Sequence, residues 1–229
     1  MIRIVSFNVH ACIGTDGRFD PARILDVLAA LQADIVALQE LEDHAWGDGT
    51  LSEHFADRLG MYAYQGSTLR RKDTPYGNLL LARRKAAEFR THDLSVPGGE
   101  PRGAIEAVFD IAGQRLQLVA THLGLRVAER RRQVTRLLEL LHASESDITV
   151  LAGDINEWRP GAFTLRALSR AFDFASRSRT FPARAPALAL DRIYVSPGNK
   201  VKRLQAHRSQ HHHRASDHLP LVCDLDVSL

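Results

Sequence analysis

Cysteine is scarce: Cys12 and Cys223 are the only two in 229 residues, and each lies beside an apolar run. Two cysteines make no disulfide scaffold in a chain of this size, and both read as buried free thiols. Long apolar runs are missing as well. None approaches the ~20 residues that a membrane-spanning helix needs. The start, Met1-Ile2-Arg3-Ile4-Val5-Ser6-Phe7, lacks the charged, apolar and small-residue pattern of a secretory signal, so the cytoplasm is the expected compartment. Charge of one sign is also nearly absent, since 30 Lys+Arg against 27 Asp+Glu leave +3, an excess too small to define a binding surface. Repeats and linkers are lacking too, and collagen-like, coiled-coil and low-complexity classes are excluded.

What is present is a globular balance of 45% apolar and 25% charged residues. One domain over residues 1–229 is expected, because single cores stop growing only beyond about 250–300 residues. Ile2 to Val9 reads as a strand. A Gly14-Thr15-Asp16-Gly17 loop follows, then a helix capped by Asp20 with Pro21 in its first position. Ile35 to Gln39 is apolar enough for a strand buried on both sides. Further strands are predicted at residues 62–65, 78–82, 86–92, 104–111, 115–122, 148–152, 192–195, 201–207 and 219–227. Val127 to His142 is the clearest helix, with Val134, Leu137, Leu138 and Leu141 on one face, and a shorter helix is predicted around Ala162 to Ala171. About a dozen short strands and four helices suit two packed sheets flanked by helices better than one doubly wound sheet.

Small polar and acidic groups stand at the ends of these apolar strands. Asn8 follows Ile4-Val5-Ser6-Phe7, Glu40 ends Ile35 to Gln39, His122 ends Leu118 to Thr121, Asp154 follows Ile148 to Gly153, and Asp217 and His218 precede the last strand. Side chains at strand ends of packed sheets can converge on one rim. Oxygen donors without a cysteine cluster suit a hard cation such as Mg²⁺ or Mn²⁺, and two imidazoles with further carboxylates supply hydrolytic groups. Glu40, assisted by Asn8 and Asp217, is the candidate metal site. Singly, each carboxylate is equally a turn residue or helix cap, and His122 equally a core histidine bonded to backbone. The joint occurrence carries the argument.

Six segments in order resemble the endonuclease/exonuclease/phosphatase superfamily of divalent-metal phosphoesterases. Ser6-Phe7-Asn8-Val9-His10 is similar to its opening Asn motif, Leu38-Gln39-Glu40 to its metal-binding Glu motif and Thr121-His122-Leu123 to its central His motif. Gly153-Asp154-Ile155-Asn156, Asp191-Arg192-Ile193-Tyr194-Val195 and Ser216-Asp217-His218 resemble the later ones. The resemblance implies a four-layer α/β/β/α sandwich. It also implies that Glu40 binds the metal near Asn8, with Asp217 as a second or water-mediated ligand. By the same resemblance Asp154 orients or deprotonates the attacking water and Asn156 holds the scissile phosphate. His218, oriented by Asp191, contacts the phosphate or acts as base, and His122 helps the leaving oxygen depart, with Glu100 as its candidate partner.

The substrate is less legible. The abasic-site endonuclease branch typically has a Thr-Lys pair soon after the metal-binding Glu, where this chain has Leu41-Glu42-Asp43-His44. The opening segments look more like the bacterial branch related to sphingomyelinases and small-molecule phosphodiesterases, so a lipid or small-molecule phosphoester is favoured. A nuclease acting on DNA or RNA is the alternative, and a catalytically inactive binding module a third. Arg130 to Arg132 read as a solvated helix face, whereas Arg70, Arg71 and Lys72, in an expected loop, are better placed for an anionic substrate. Trp46 and Trp158 either line the pocket, touch a lipid surface or pack in the core. The internal His211-His212-His213 run reads as a flexible loop, with transition-metal binding as its alternative.

Overall fold

A computed structural model describes residues 1–142, 145–209 and 214–228, so the His211-His212-His213 run lies outside the described residues. The chain opens with β1 (Ile2–Asn8), α1 (Pro21–Leu31), β2 (Ile35–Glu42) and a small ribbon, β3 (Ala45–Trp46) and β4 (Gly49–Thr50). Next come α2 (Leu51–Leu59), β5 (Tyr62–Arg71), β6 (Thr74–Ala82), β7 (Glu88–Asp93), β8 (Gly103–Ile111) and β9 (Gln114–His122). The remainder is α3 (Val127–His142), β10 (Ile148–Asp154), α4 (Phe163–Ala171), β11 (Phe174–Ala175), β12 (Asp191–Ser196), β13 (Val201–Ala206) and β14 (Leu221–Leu225).

Two six-stranded mixed sheets form, in the orders β13-β14-β1-β2-β6-β5 and β11-β12-β10-β9-β8-β7. Strand alternation explains how they stack. In β1, Ile2 and Ile4 point into a core shared with Leu118 and Val150 of the other sheet, while Val5 and Phe7 point outward against Ile24 and Leu28 of α1 and Phe55 of α2. On the second sheet, Val119 and Leu151 meet Val134 and Leu137 of α3 and Leu168 of α4. The layers are therefore α/β/β/α, as expected. Cys12 and Cys223 are buried and free, and burial pushes both thiols up to about 12, which leaves them unreactive.

Three readings change. The helix α2 was not expected, although a capping box announces it: Thr50 accepts from Glu53 N–H while the Glu53 carboxylate accepts from Thr50 N–H. Arg70 and Arg71 end a long strand rather than occupying a loop; the turn is Lys72-Asp73, where both residues have positive φ. Arg130 does not face solvent. It is buried, donates to Glu157 at 2.9 Å and to the Gly124 and Leu125 carbonyls, and ties α3 to the segment after β10. Arg131 and Arg132 are exposed, as expected. No helix among the described residues is long and apolar enough to cross a membrane.

Candidate active site

The parallel pairs β1·β2 and β9·β10 bring their carboxyl ends to the same rim, so Asn8, Glu40, His122 and Asp154 arrive together. Local backbone irregularities aim them. Between Leu38↔Leu79 and Leu41↔Gly77 the register slips, so Gln39 and Glu40 oppose a single residue of β6, and Glu40 takes φ 59°. A bulge of this kind re-aims one side chain, and its strained φ is held by the surrounding ladder. Asn156 also has positive φ, 54°. Gly153 has φ 145°, and a Cβ there would strike the Thr121 carbonyl of β9, so only glycine lets the two strands approach beside the cluster.

One amide joins the two carboxylates. Asn8 Nδ2 donates to Glu40 Oε1 at 2.8 Å and to Asp154 Oδ2 at 3.1 Å, while its Oδ1 accepts from His10 N–H at 3.0 Å. Asn8 thus positions the carboxylates, its oxygen being turned to backbone. His122 Nε2 lies 3.8 Å from Glu40 and 3.7 Å from Asp154, and Asn156 Nδ2 sits 3.0 Å from the same ring nitrogen. His218 Nε2 is 3.8 Å from Asp154, and its Nδ1 donates to Asp191 Oδ2 at 2.7 Å. Asp191 Oδ2 also accepts from the Thr180 hydroxyl, and Phe181 packs on the His218 ring at 4.9 Å. Seven of the eight candidate residues therefore meet. Asp217 does not join them: its carboxylate faces His10 Nδ1 at 3.8 Å.

The proton affinities follow from these surroundings. Burial and the charge of Asp191 push Asp154 up to about 7, against the opposing pull of His218. Burial would lower His218, but Asp191 outweighs it and holds the ring at about 10. His122 is driven down to about 3 by burial and by Arg102. Burial would raise Glu40; the His122 ring and hydrogen bonds from Asn8 and Tyr76 bring it below the usual carboxylate value.

Arg102 is a residue that the sequence did not single out for the site. Its Nη1 lies 3.2 Å from His122 Nδ1 and 3.0 Å from Glu100. Glu100, expected beside His122, acts at one remove, through this guanidinium. A guanidinium only donates, so its contact makes His122 Nδ1 the acceptor and puts the ring proton on Nε2; the Asn156 amide nitrogen, which donates to the Leu123 carbonyl at 2.9 Å, is then a neighbour of Nε2 and not a donor to it. Tyr76 was missed too. It is buried, its hydroxyl bonds Glu40, and Arg71 stacks 3.6 Å over its ring while reaching Glu100 at 3.7 Å. The charged pair of Glu100-Pro101-Arg102, immediately before β8, was the available signal for Arg102; nothing in the local pattern marked Tyr76.

Glu40, His122 and Asp154 present donor atoms all within 4.8 Å of one another, as do Asp154, Asp191 and His218. Carboxylates with imidazole and no thiolate are the chemistry of a hard divalent cation, so these residues fit one.

The profile of the Endonuclease/Exonuclease/phosphatase family matches residues 5–218, spanning every motif described above. The chain belongs to this family. Within it, the chain is 29% identical over 244 residues to the uncharacterized protein YbhP of Escherichia coli K12, covering 98% of this chain and 96% of YbhP. Its fold is that of an endonuclease/exonuclease/phosphatase from Beutenbergia cavernae, with TM-score 0.78, 24% identity, and 99% and 72% of the two chains covered. It is equally that of the mannosyl-6-phosphatase Bt3783 of Bacteroides thetaiotaomicron, with TM-score 0.77, 17% identity, and 99% and 100% covered. A humanized TDP2 from D. rerio superposes with TM-score 0.74, 22% identity, and 99% of both chains covered. Phosphatase-type and TDP2-type members thus share the family's frame with this chain.

Proposed function

We propose that the protein is a Mg²⁺- or Mn²⁺-dependent phosphodiesterase acting on a small or lipid phosphodiester, with water attacking phosphorus in line with the leaving oxygen. One observation above all supports this: residues from five strands and two loops form a single cluster of carboxylates, amides and imidazoles at one rim, joined by hydrogen bonds and by the 3.7–3.8 Å contacts of both imidazoles with Asp154. Glu40, with Asp154, would hold the ion, which when bound neutralises developing phosphate charge and acidifies water.

The chain's own groups do the rest. Asp154 is the proton acceptor for the attacking water, its carboxylate being kept from early ionisation by burial. His218, pinned at Nδ1 by Asp191, offers Nε2–H to a nonbridging phosphate oxygen. His122, uncharged, would donate an Nε2–H hydrogen bond to the leaving oxygen, which takes its proton from water, and the Asn156 amide would hold the phosphate between them. Asp217, turned toward His10, is given no ligand role.

The test is turnover of bis-(p-nitrophenyl) phosphate with Mg²⁺, with Mn²⁺ and with a chelator. Metal-dependent release of nitrophenol is expected, and its absence in all three overturns the proposal. Plasmid, an abasic oligonucleotide and phospholipid vesicles assayed in parallel rank the substrates; nicking at catalytic enzyme concentrations would reverse the preference for a lipid or small molecule.

A further inference from the structure

The net charge of +3 conceals a strong asymmetry. Residues 158–203 carry ten Lys+Arg against two Asp, a surplus of eight, so the rest of the chain is acidic in balance. This segment runs from the loop after Asn156 through α4, β11 and β12 into β13. It folds around a cavity of about 450 Å³ on the outer face of the second sheet, within the roughly 300–1,000 Å³ typical of small-ligand sites.

The cavity is distinct from the catalytic cluster yet joined to it. In β12, Ile193 faces the core between the sheets and Tyr194 faces α4. Alternation therefore sends Asp191 into the catalytic cluster and its neighbour Arg192 out into the cavity. Trp158, two residues beyond Asn156, stands at the cavity wall and is 53% exposed. Leu165 and Tyr194 supply apolar walls, and Arg166 and Arg177 complete the lining.

The arginines set this cavity apart. Elsewhere, arginines near the site have acids: Arg102 has Glu100, and Arg130 and Arg159 share Glu157. Among the described residues none of Arg166, Arg177 and Arg192 forms an ion pair with a carboxylate; the charge of Asp191 reaches Arg192 through space, against that of Arg177. Arg192 is 8% exposed, donates through Nη1 to the Ser176 carbonyl at 2.6 Å, and keeps a buried Nε with no partner. A buried, incompletely satisfied cation is costly unless something anionic completes it. An exposed indole beside it offers a face for a flat ring.

We infer that this cavity binds a nucleotide unit, its base on Trp158 and its phosphate among Arg166, Arg177 and Arg192. The inference rests on the proposed phosphodiesterase reading only in making that unit the substrate portion next to the scissile phosphate. Binding itself is independent of catalysis. A single walled cavity of this size with one indole suits a discrete ring bearing an anion better than a flat membrane face.

Trp46→Phe leaves Trp158 as the only tryptophan. In that background, with a chelator present, adenosine monophosphate is expected to change Trp158 fluorescence saturably. Adenosine alone and inorganic phosphate should each bind at least tenfold more weakly. Arg166→Glu and Arg177→Glu, both at exposed positions, should each weaken nucleotide binding at least tenfold while the far-UV circular dichroism stays native. Calorimetry on Trp158→Ala should show a comparable loss. Four results would each overturn the inference: no saturable change with the nucleotide, undiminished binding by both arginine variants, inorganic phosphate binding as tightly as the nucleotide, or a response to phosphatidylglycerol vesicles alone. Because turnover is read separately, a parent protein that turns over bis-(p-nitrophenyl) phosphate with metal yet fails to bind the nucleotide sinks this inference and leaves the proposed phosphodiesterase standing.

Discussion

His122 and His218 approach the same oxygen of Asp154, and they differ most in who stands behind them. Each ring is 5% exposed, and each places Nε2 3.7–3.8 Å from Asp154 Oδ2. Burial pushes both toward neutrality. Behind His122 stands the Arg102 guanidinium, which reinforces burial and takes the ring to about 3. Behind His218 stands Asp191, which reverses burial and takes the ring to about 10. The partner on the far nitrogen therefore decides the charge, and one residue type at equal depth supplies a neutral ring on one flank and a cation on the other.

The harshest way to break that symmetry is to remove its axis. Asp154→Ala, or His218→Ala, should lower kcat for bis-(p-nitrophenyl) phosphate by about 10³-fold or more while the far-UV circular dichroism stays native. Activity close to that of the parent in either variant would remove the assigned role. Asp191→Asn is gentler, exchanging the acid behind His218 for a neutral isostere, and a loss of about 10²-fold is expected. The pH profile separates positioning from mere structure. With His218 held at about 10, the parent keeps its cation throughout the neutral range; in Asp191→Asn the ring falls toward its ordinary 6.5, so activity should decline as pH rises past neutrality. An unchanged alkaline limb would show that His218 works uncharged.

Arg102→Met tests the other flank and should cost less in turnover, about tenfold. Its sharper readout is the His122 ring itself. Relieved of the guanidinium, the ring should titrate about a unit higher in a histidine NMR titration of the metal-free protein. A titration midpoint unmoved from that of the parent would mean that burial alone sets the neutral state.

What the sequence revealed, and what it hid, divides along the same line. Residues whose role is fixed by position on a strand were legible: Asn8, Glu40, His122 and Asp154 end apolar runs, and a run's end is visible without knowing its partner. Residues whose role is fixed by a neighbour in space were not. Arg102 sits 20 positions before His122, and its meaning appears only when β8 pairs beside β9. Asp217 follows its neighbour only in part: its charge reaches His218, while its carboxylate faces His10 Nδ1 at 3.8 Å. Arg130 read as a solvated helix face because its acid, Glu157, lies 27 residues away, beyond β10. The bulge at Glu40 and the positive φ at Asn156 leave no mark in composition, because neither position is glycine.

The contest between burial and partner also plays outside the site, at Glu157, and there it yields the smallest predicted effect. Burial would raise this carboxyl, but hydrogen bonds from Arg159 and Arg130 prevail and hold it at about 2. A depressed carboxylate stabilises the fold above its unfolded value of 4.5 and loses that contribution as pH falls toward 2. Glu157→Gln removes the titration while keeping the shape. Between pH 7 and pH 4 the parent should therefore lose about 1 kcal/mol more than the variant, measured by urea unfolding, because only the unfolded parent gains a proton there. His122 adds acid sensitivity of the same sign, since a ring buried neutral must also charge on unfolding, but it does so in both proteins and cancels in the difference. An equal gap between parent and variant at the two pH values would mean that Glu157 contributes shape and hydrogen bonds without depending on its charge.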